Sequence, residues 1–309
     1  MTRSAPMRKT LAAALVLFGL SAPAHAEVPA VLVSIKPLHS LVAAVMEGIG
    51  EPGLIVSGSA SPHGYAMKPS DARAAEKAKL VVWVGPPLES WLERGMARRK
   101  DGLSMLSLPG LIRLDTREGG AWDAHEHGAH RDHHGQDETD PHVWLDPRNA
   151  ALLAGAVAER LGSLDPANAA RYAANAEALK HRLAELDAEL SARLAPVAKR
   201  PYVVFHDAHQ YFEARYGLSA AGAITVDPER PPGARRMAQL RDRLKAAGAT
   251  CVFGEPGAPS ATAAMLAEAA GARLGQLDPE GLLVPAGRDS YVQQMRGLAS
   301  ALAECLAAR

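Results

Sequence analysis

Residues 165–196, DPANAARYAANAEALKHRLAELDAELSARLAP, decide the fold. Asp165 is a good N-cap and Pro166 suits a first helical turn, so the pair starts a helix. Leu179, Leu183, Leu186 and Leu190 then recur on one helical face. The pattern runs to Leu194, just before Pro196. Some 29 residues at 1.5 Å each make a rod of about 44 Å. That is long for a helix inside one domain, and it fits a spine spanning two lobes. The linking segment is placed at 163–197.

On both sides of the rod, strands alternate with helices. Before it come the β-branched run Val31–Ile35, a helical pattern over Leu38–Met46 and a short strand at Leu54–Val56. A helix to Ala78, the buried run Leu80–Gly85 and helices over Leu88–Ala97 and Arg148–Leu161 follow. After the rod come strands at Tyr202–Phe205, Thr250–Phe253 and Arg273–Leu277. Helices over Gln210–Tyr216, Ala234–Ala247, Ser260–Ala270 and Ser290–Ala308 accompany them. This rhythm predicts α/β architecture with a parallel sheet in each lobe, one over 27–162 and one over 198–309. No sequence repeat relates the halves. The rhythm breaks at 117–140, where His125, His127, His130, His133 and His134 lie among carboxylates and glycines. No apolar period survives there, so 119–139 reads as a surface loop rich in weak metal donors.

The chain has 309 residues, 34 Lys+Arg against 34 Asp+Glu, and 5 % aromatic residues. That balance gives no reason to expect a nucleic acid or an anionic membrane as partner. Arg3, Arg8 and Lys9, the apolar run Leu11–Leu20 and Ala24-His25-Ala26 form a secretory signal pattern, with cleavage expected after Ala26. The apolar run is too short to span a bilayer, and no Cys near the cleavage site offers a lipid anchor. Periplasmic localisation is the simplest expectation. An oxidising compartment favours pairing of the only two cysteines, Cys251 and Cys305; two buried free thiols are the alternative.

Six histidines of the mature chain lie outside the loop, and three are specially placed. His63 follows the Leu54–Val56 strand within Ser61-Pro62-His63-Gly64-Tyr65. His142 precedes a helix within Asp140–Pro147. His206 ends the strand that starts at Tyr202. Asp278 follows the strand Arg273–Leu277. Open α/β sheets bind ligands beyond the carboxyl ends of their strands, and a cleft between lobes could gather all four residues. Three imidazoles and a carboxylate suit Zn²⁺, whereas Mn²⁺ and Mg²⁺ prefer more oxygen. His39 reads as structural, His181 as solvated, and His209 as a supporting or surface residue.

These segments resemble the periplasmic zinc-binding subunits of ABC-type zinc importers, the ZnuA type of the metal-specific solute-binding proteins. The matching stretches are Ser34–Ser40, Ser61–Tyr65 with Lys68–Asp71, Leu80–Pro86, the histidine loop, Asp140–Pro147, Phe205–Ala208 with Tyr211-Phe212, Thr250–Pro256 and Leu277–Pro279. Together they cover nearly the whole mature chain in order. The resemblance implies two α/β lobes joined by a long rigid helix, with the metal between them. It implies His63, His142 and His206 as ligands, and the Cys251–Cys305 bridge. The fourth position varies in such proteins: an Asp at the place of Asp278, a Glu beside the first His, or water. Here that neighbour is Pro62, which favours Asp278.

The function expected is capture of Zn²⁺ and its delivery to the inner-membrane ABC permease of a zinc importer, by a monomer that is not an enzyme and does not insert into the membrane. A binding protein for Mn²⁺ or Fe²⁺ and a periplasmic zinc chaperone are alternatives. A zinc hydrolase is the remotest, since no HExxH motif is present.

Overall fold

The computed structural model describes residues 28–117, 122, 139–225, 228 and 232–307. The signal pattern and the five loop histidines lie outside the described residues.

Among the described residues, eight strands form two four-stranded sheets, and every pairing within these sheets is parallel. The first sheet contains β1 (Val31–Val33), β2 (Gly53–Leu54), β3 (Leu80–Trp83) and β4 (Gly102–Ser104) in the order β2-β1-β3-β4. The second contains β5 (Pro201–His206), β6 (Ser219–Thr225), β7 (Cys251–Gly254) and β8 (Arg273–Gln276) in the order β6-β5-β7-β8. Each sheet therefore places its second strand outside its first, and the two lobes share one topology. The sequence halves carry no repeat that reveals this. Strands β4 and β6 escape the sequence pattern for a physical reason. Both are edge strands, built from Gly102-Leu103-Ser104 and the small residues Ser219–Ala223, with little β-branched or alternating signal.

Helices α1 (Lys36–Val45), α2 (Pro69–Lys77), α3 (Ser90–Met96) and α4 (Pro147–Leu164) belong to the first lobe. The spine α5 (Ala169–Leu194) has 26 residues, about 39 Å at the α-helical rise, preceded by a 3₁₀ turn at Pro166–Asn168. Helices α6 (Gln210–Tyr216), α7 (Ala234–Ala247), α8 (Ser260–Ala270) and α9 (Ser290–Ala307) belong to the second lobe. No helix among the described residues is long and apolar enough to cross a membrane.

The expected leucine face of the spine is buried: Leu179, Leu183, Leu186 and Leu190 are at most 3 % exposed. They join one core that runs from β1 and β3 through the spine to α9. Polar contacts pin the rod to both lobes. Asn175 Nδ2 donates to the Val45 and Glu47 carbonyls, while Arg296 pairs with Glu189, and Arg215 with Asp187. A Cys251–Cys305 disulfide ties β7 to α9. A 54-residue loop closed this way adds at most about 4 kcal/mol on the chain-entropy account.

Strand β5 shows how the second sheet aims a side chain. Tyr202 and Val204 enter the large core, whereas Val203 and Phe205 face a smaller core under α7 and α8. Side chains alternate along a strand, so His206 continues the Tyr202–Val204 face, toward the other lobe.

Candidate metal centre

The first lobe supplies two imidazoles. His63 sits in the loop after β2; Trp91 Nε1 donates to the Pro62 carbonyl at 2.8 Å and fixes that loop. His142 stands at the opening of a 3₁₀ turn, Val143–Leu145, that leads into α4. Asp140 Oδ1 accepts from the His142 backbone N–H at 2.9 Å and lies 2.7 Å from His142 Nδ1. An ionised carboxylate only accepts, so Nδ1 carries the proton and Nε2 keeps its lone pair. This is the carboxylate–histidine arrangement that sets the tautomer of a metal-binding imidazole.

The second lobe brings His206, 2 % exposed, from the end of β5. The ring centroids are 5.3 Å apart for His63–His142, 5.0 Å for His63–His206 and 4.9 Å for His142–His206. One donor nitrogen from each of the three falls within 4.8 Å of the others. His142 Nε2 and His63 Nε2 are 3.3 Å apart. Tetrahedral zinc, with Zn–N bonds of about 2.0–2.1 Å, needs its donors about 3.3–3.4 Å apart. One edge of a zinc tetrahedron is therefore already built.

Electrostatics favours the ion-receptive state. Burial, with His206 and His142 close by, pushes the His63 pKa well below its usual value, so this imidazole is neutral and free to donate at neutral pH. Glu255, just past β7, has Oε2 at 3.7 Å from His206 Nδ1. Burial, helped by nearby Asp278, raises its carboxyl to about 8 in the ion-free site; a cation beside it acts in the opposite direction.

Asp278 lies outside the group of three. Its Oδ1 and Oδ2 each accept a backbone N–H at 2.8 Å, from Leu282 and Leu283. Lys36 of the first lobe holds the same turn, donating to the Gly281 and Val284 carbonyls at 2.8 and 2.6 Å. Trp144 Nε1 adds a bond of 2.9 Å to the Pro279 carbonyl. His39 is structural, with Nε2 3.0 Å from the Pro52 carbonyl, and His181 is exposed on the spine. His209 is 2 % exposed, and burial lowers its pKa to about 3.

Sequence reasoning passed over three participants: Asp140, Glu255 and Lys36. Glu255 was legible in one respect, since it follows a strand end as His206 and Asp278 do. The Asp140–Pro141–His142 spacing is the local signal for the orienting carboxylate. Lys36 acts on a turn some 245 residues away, which no local pattern reveals.

The family model described as "Zinc-uptake complex component A periplasmic" matches residues 31–305. The chain belongs to this ZnuA family. The high-affinity zinc uptake system protein ZnuA of Brucella abortus (strain 2308) is 43 % identical over 304 residues, covering 89 % of this chain and 91 % of that one. Its counterpart from Paracoccus denitrificans (strain Pd 1222) is 38 % identical over 330 residues, covering 98 % and 99 %. Among solved structures, a ZnuA deletion mutant with zinc bound superposes with TM-score 0.75 at 27 % identity, covering 92 % of this chain and all of that one. The family is one of solute-binding transport proteins of the periplasm.

Proposed function

We propose that this protein captures Zn²⁺ in the periplasm and delivers it to the membrane permease of an ABC-type zinc importer. The observation that carries the reading is the His63–His142 pair, whose Nε2 atoms already stand at the edge length of a zinc tetrahedron, with His206 closing a face. A set with three imidazoles disfavours Mn²⁺, which prefers oxygen. Asp278 serves as fourth donor. A carboxylate offers about four lone-pair sites, so two backbone bonds leave it capacity for an ion. The loop histidines His125, His127, His130, His133 and His134 act as weak auxiliary donors. Export with cleavage after Ala26 and action as a monomer complete the proposal, and the relatives' names support its zinc and uptake elements.

Competition between the mature protein and a colorimetric zinc chelator tests the capture step. Tight, one-to-one zinc binding that Mn²⁺ cannot displace is expected; equal preference for Mn²⁺ overturns the zinc assignment. Rescue of growth in zinc-poor medium, dependent on a co-expressed importer permease, tests delivery.

A further inference from the structure

His142 and His206 are 4 % and 2 % exposed, so an arriving ion needs a way in. A cavity of about 310 Å³ opens between the lobes beside them. Ser59 and Ser61 line it from the first lobe; Phe205, Glu255, Gly257 and Leu282 line it from the second. At about 30 Å³ per liquid water, it holds a divalent ion with its water shell. Two of its lining residues adjoin the imidazoles. Ser61 Oγ accepts from the His63 backbone N–H at 3.3 Å. Glu255 Oε2 lies 3.7 Å from His206 Nδ1.

Glu255 is the unusual member. Its Oε2 is buried and accepts no hydrogen bond among the described residues. Buried polar atoms are hydrogen-bonded in the great majority of cases, so an oxygen left open beside an imidazole and a cavity is available to a ligand. Strand parity agrees: Cys251 and Phe253 face the large core, and Glu255 continues their side, as His206 continues that of Tyr202 and Val204. At the rim the lobes nearly touch. Gly257 has φ +84°, and a Cβ there would stand 3.5 Å from the Ser59 carbonyl oxygen. The left-handed backbone favours glycine at this gap.

We propose that this cavity is the port through which hydrated Zn²⁺ reaches the three imidazoles, and that Glu255 is a transient ligand on the way. The inference rests on the zinc-binding reading above. Each step is a ligand exchange: the Glu255 carboxylate displaces one water from the ion, and an imidazole then displaces the carboxylate. Within a low-dielectric passage an oxygen donor that replaces a lost water lowers the barrier to stripping the hydration shell, and so it raises the capture rate more than the final affinity.

The test separates rates from equilibrium. Stopped-flow capture of Zn²⁺, and its release into excess chelator, are measured beside equilibrium competition. Ala258→Leu and Ala258→Trp, a graded pair, and Thr262→Phe fill the cavity from wall positions that are not among the proposed ligands. Capture and release are expected to slow together by about tenfold or more, with Kd within about twofold of wild type and slowing ordered by side-chain volume. Glu255→Gln keeps the shape and is expected to slow capture about tenfold while Kd moves less than about threefold, with Glu255→Asp recovering part of the rate. Folded, plugged variants with wild-type rates overturn the port. Glu255→Gln with unchanged rates, or with Kd weakened about 100-fold and capture unchanged, overturns the transient role. Wild-type protein that binds no zinc at equilibrium refutes the capture reading itself, and that arm is independent of the kinetic ones.

Discussion

The two sheets share one strand order and carry unlike loads. In the first sheet, Val31, Leu32, Val33, Val81 and Val82 all feed the one large core. The second sheet is divided. Tyr202, Val204, Cys251 and Phe253 join that core, whereas Val203, Phe205 and Val252 pack with Leu240, Leu244, Ala263, Leu266 and Ala267 in a small separate one. Their contributions to the metal centre differ in the same way. The first lobe brings two of the converging imidazoles, one held by Asp140; the second brings one, with Glu255 Oε2 3.7 Å from it, while Asp278 lies outside the group of three. The difference teaches that one topology can be used twice for different work. One sheet gives both of its faces to the core shared with the spine, and the other gives one face to it and keeps a small core of its own on the other.

The largest expected effect breaks this division at the imidazoles. His63→Ala, His142→Ala and His206→Ala should each weaken the tight zinc site by more than about 100-fold, beyond the usual cost of losing an orienting partner. Losing His206 leaves both remaining imidazoles on one lobe, whereas losing His63 or His142 leaves one on each. If zinc draws the lobes together, His206→Ala alone also abolishes any zinc-induced gain in melting temperature. Chelator competition and thermal melts with and without zinc measure both. Wild-type affinity in all three variants sinks the assignment.

How much of this comparison was legible in the sequence follows from where each signal lives. The spine was legible because Leu179, Leu183, Leu186 and Leu190 keep helical period over three turns and the Asp165-Pro166 start is local. The three imidazoles were legible as strand-end or helix-start residues beside prolines, glycine and acids. The shared strand order was not, because the edge strands β4 and β6 consist of small residues whose pairing is decided by neighbours far along the chain. Partners set by tertiary contact, such as Lys36 on the turn after Asp278, leave no local mark. Burial of His209 was missed for the same reason, since its short helix α6 is covered by distant elements.

The next effect compares the cores. Leu186 and Leu266 are both 1 % exposed, one in the spine and one in the small core. Leu186→Ala should destabilise the protein by about 3–5 kcal/mol and lower the protection of both lobes in hydrogen exchange. Leu266→Ala should cost about 2–3 kcal/mol, because its alanine neighbours leave a shallow site, and loosen only α7, α8 and β6. Equal loss of protection across both lobes in Leu266→Ala would show that the two cores unfold as one.

Smaller again is the loss of the second lobe's carboxylate. Asp278→Ala should weaken zinc by about tenfold, less than any imidazole, since water can fill the vacancy. Lys36→Met, which releases the turn from the first lobe while keeping bulk, should reproduce part of that loss. A Lys36 variant with full affinity beside a damaged Asp278 variant would separate the carboxylate from its anchoring.

A change of pH acts on both lobes. His39 and His63 in the first, and His209 in the second, have lowered folded pKa values, chiefly through burial. The unfolded chain binds their protons near pH 6.5 and the folded chain refuses them. Stability from these groups is therefore present above about pH 6.5 and is lost as pH falls, with a slope approaching about 1.4 kcal/mol per pH unit for each group. Glu89 and Glu255, raised to about 7 and about 8 by burial, act oppositely: their contribution is present in acid and fades as pH rises through those values. Chemical denaturation of the zinc-free protein should show falling stability from pH 6.5 to 5, and His209→Gln should flatten that slope while leaving zinc affinity at pH 7.5 within about threefold. An unchanged slope removes His209 from the account.

The smallest effect on the tight site is expected from the segment between the lobes' contacts. Asp115 and Thr139 form an isolated antiparallel bridge that closes its base. Arg117 then pairs with Asp207 and Glu213 of the second lobe, and Gln210 Nε2 donates to the Asp115 carbonyl at 3.1 Å. The base is thus held to the lobe that carries His206, independently of the histidines at 125–134. The auxiliary role proposed for those histidines is separate from the tight site, whose donors on His63, His142 and His206 already converge. Replacing residues 119–138 by a short glycine–serine linker should therefore leave the tight Kd within about twofold and the melting temperature within a few degrees, while weaker additional zinc binding disappears in calorimetry. Adding Arg117→Ala to the shortened chain should lower stability without touching the stoichiometry of the tight site, because that change leaves Asp207 and Glu213 facing each other without their cation. Loss of the tight site on shortening, in a chain that still melts normally, would mean that the segment supplies a primary ligand and that the three-imidazole face is incomplete without it.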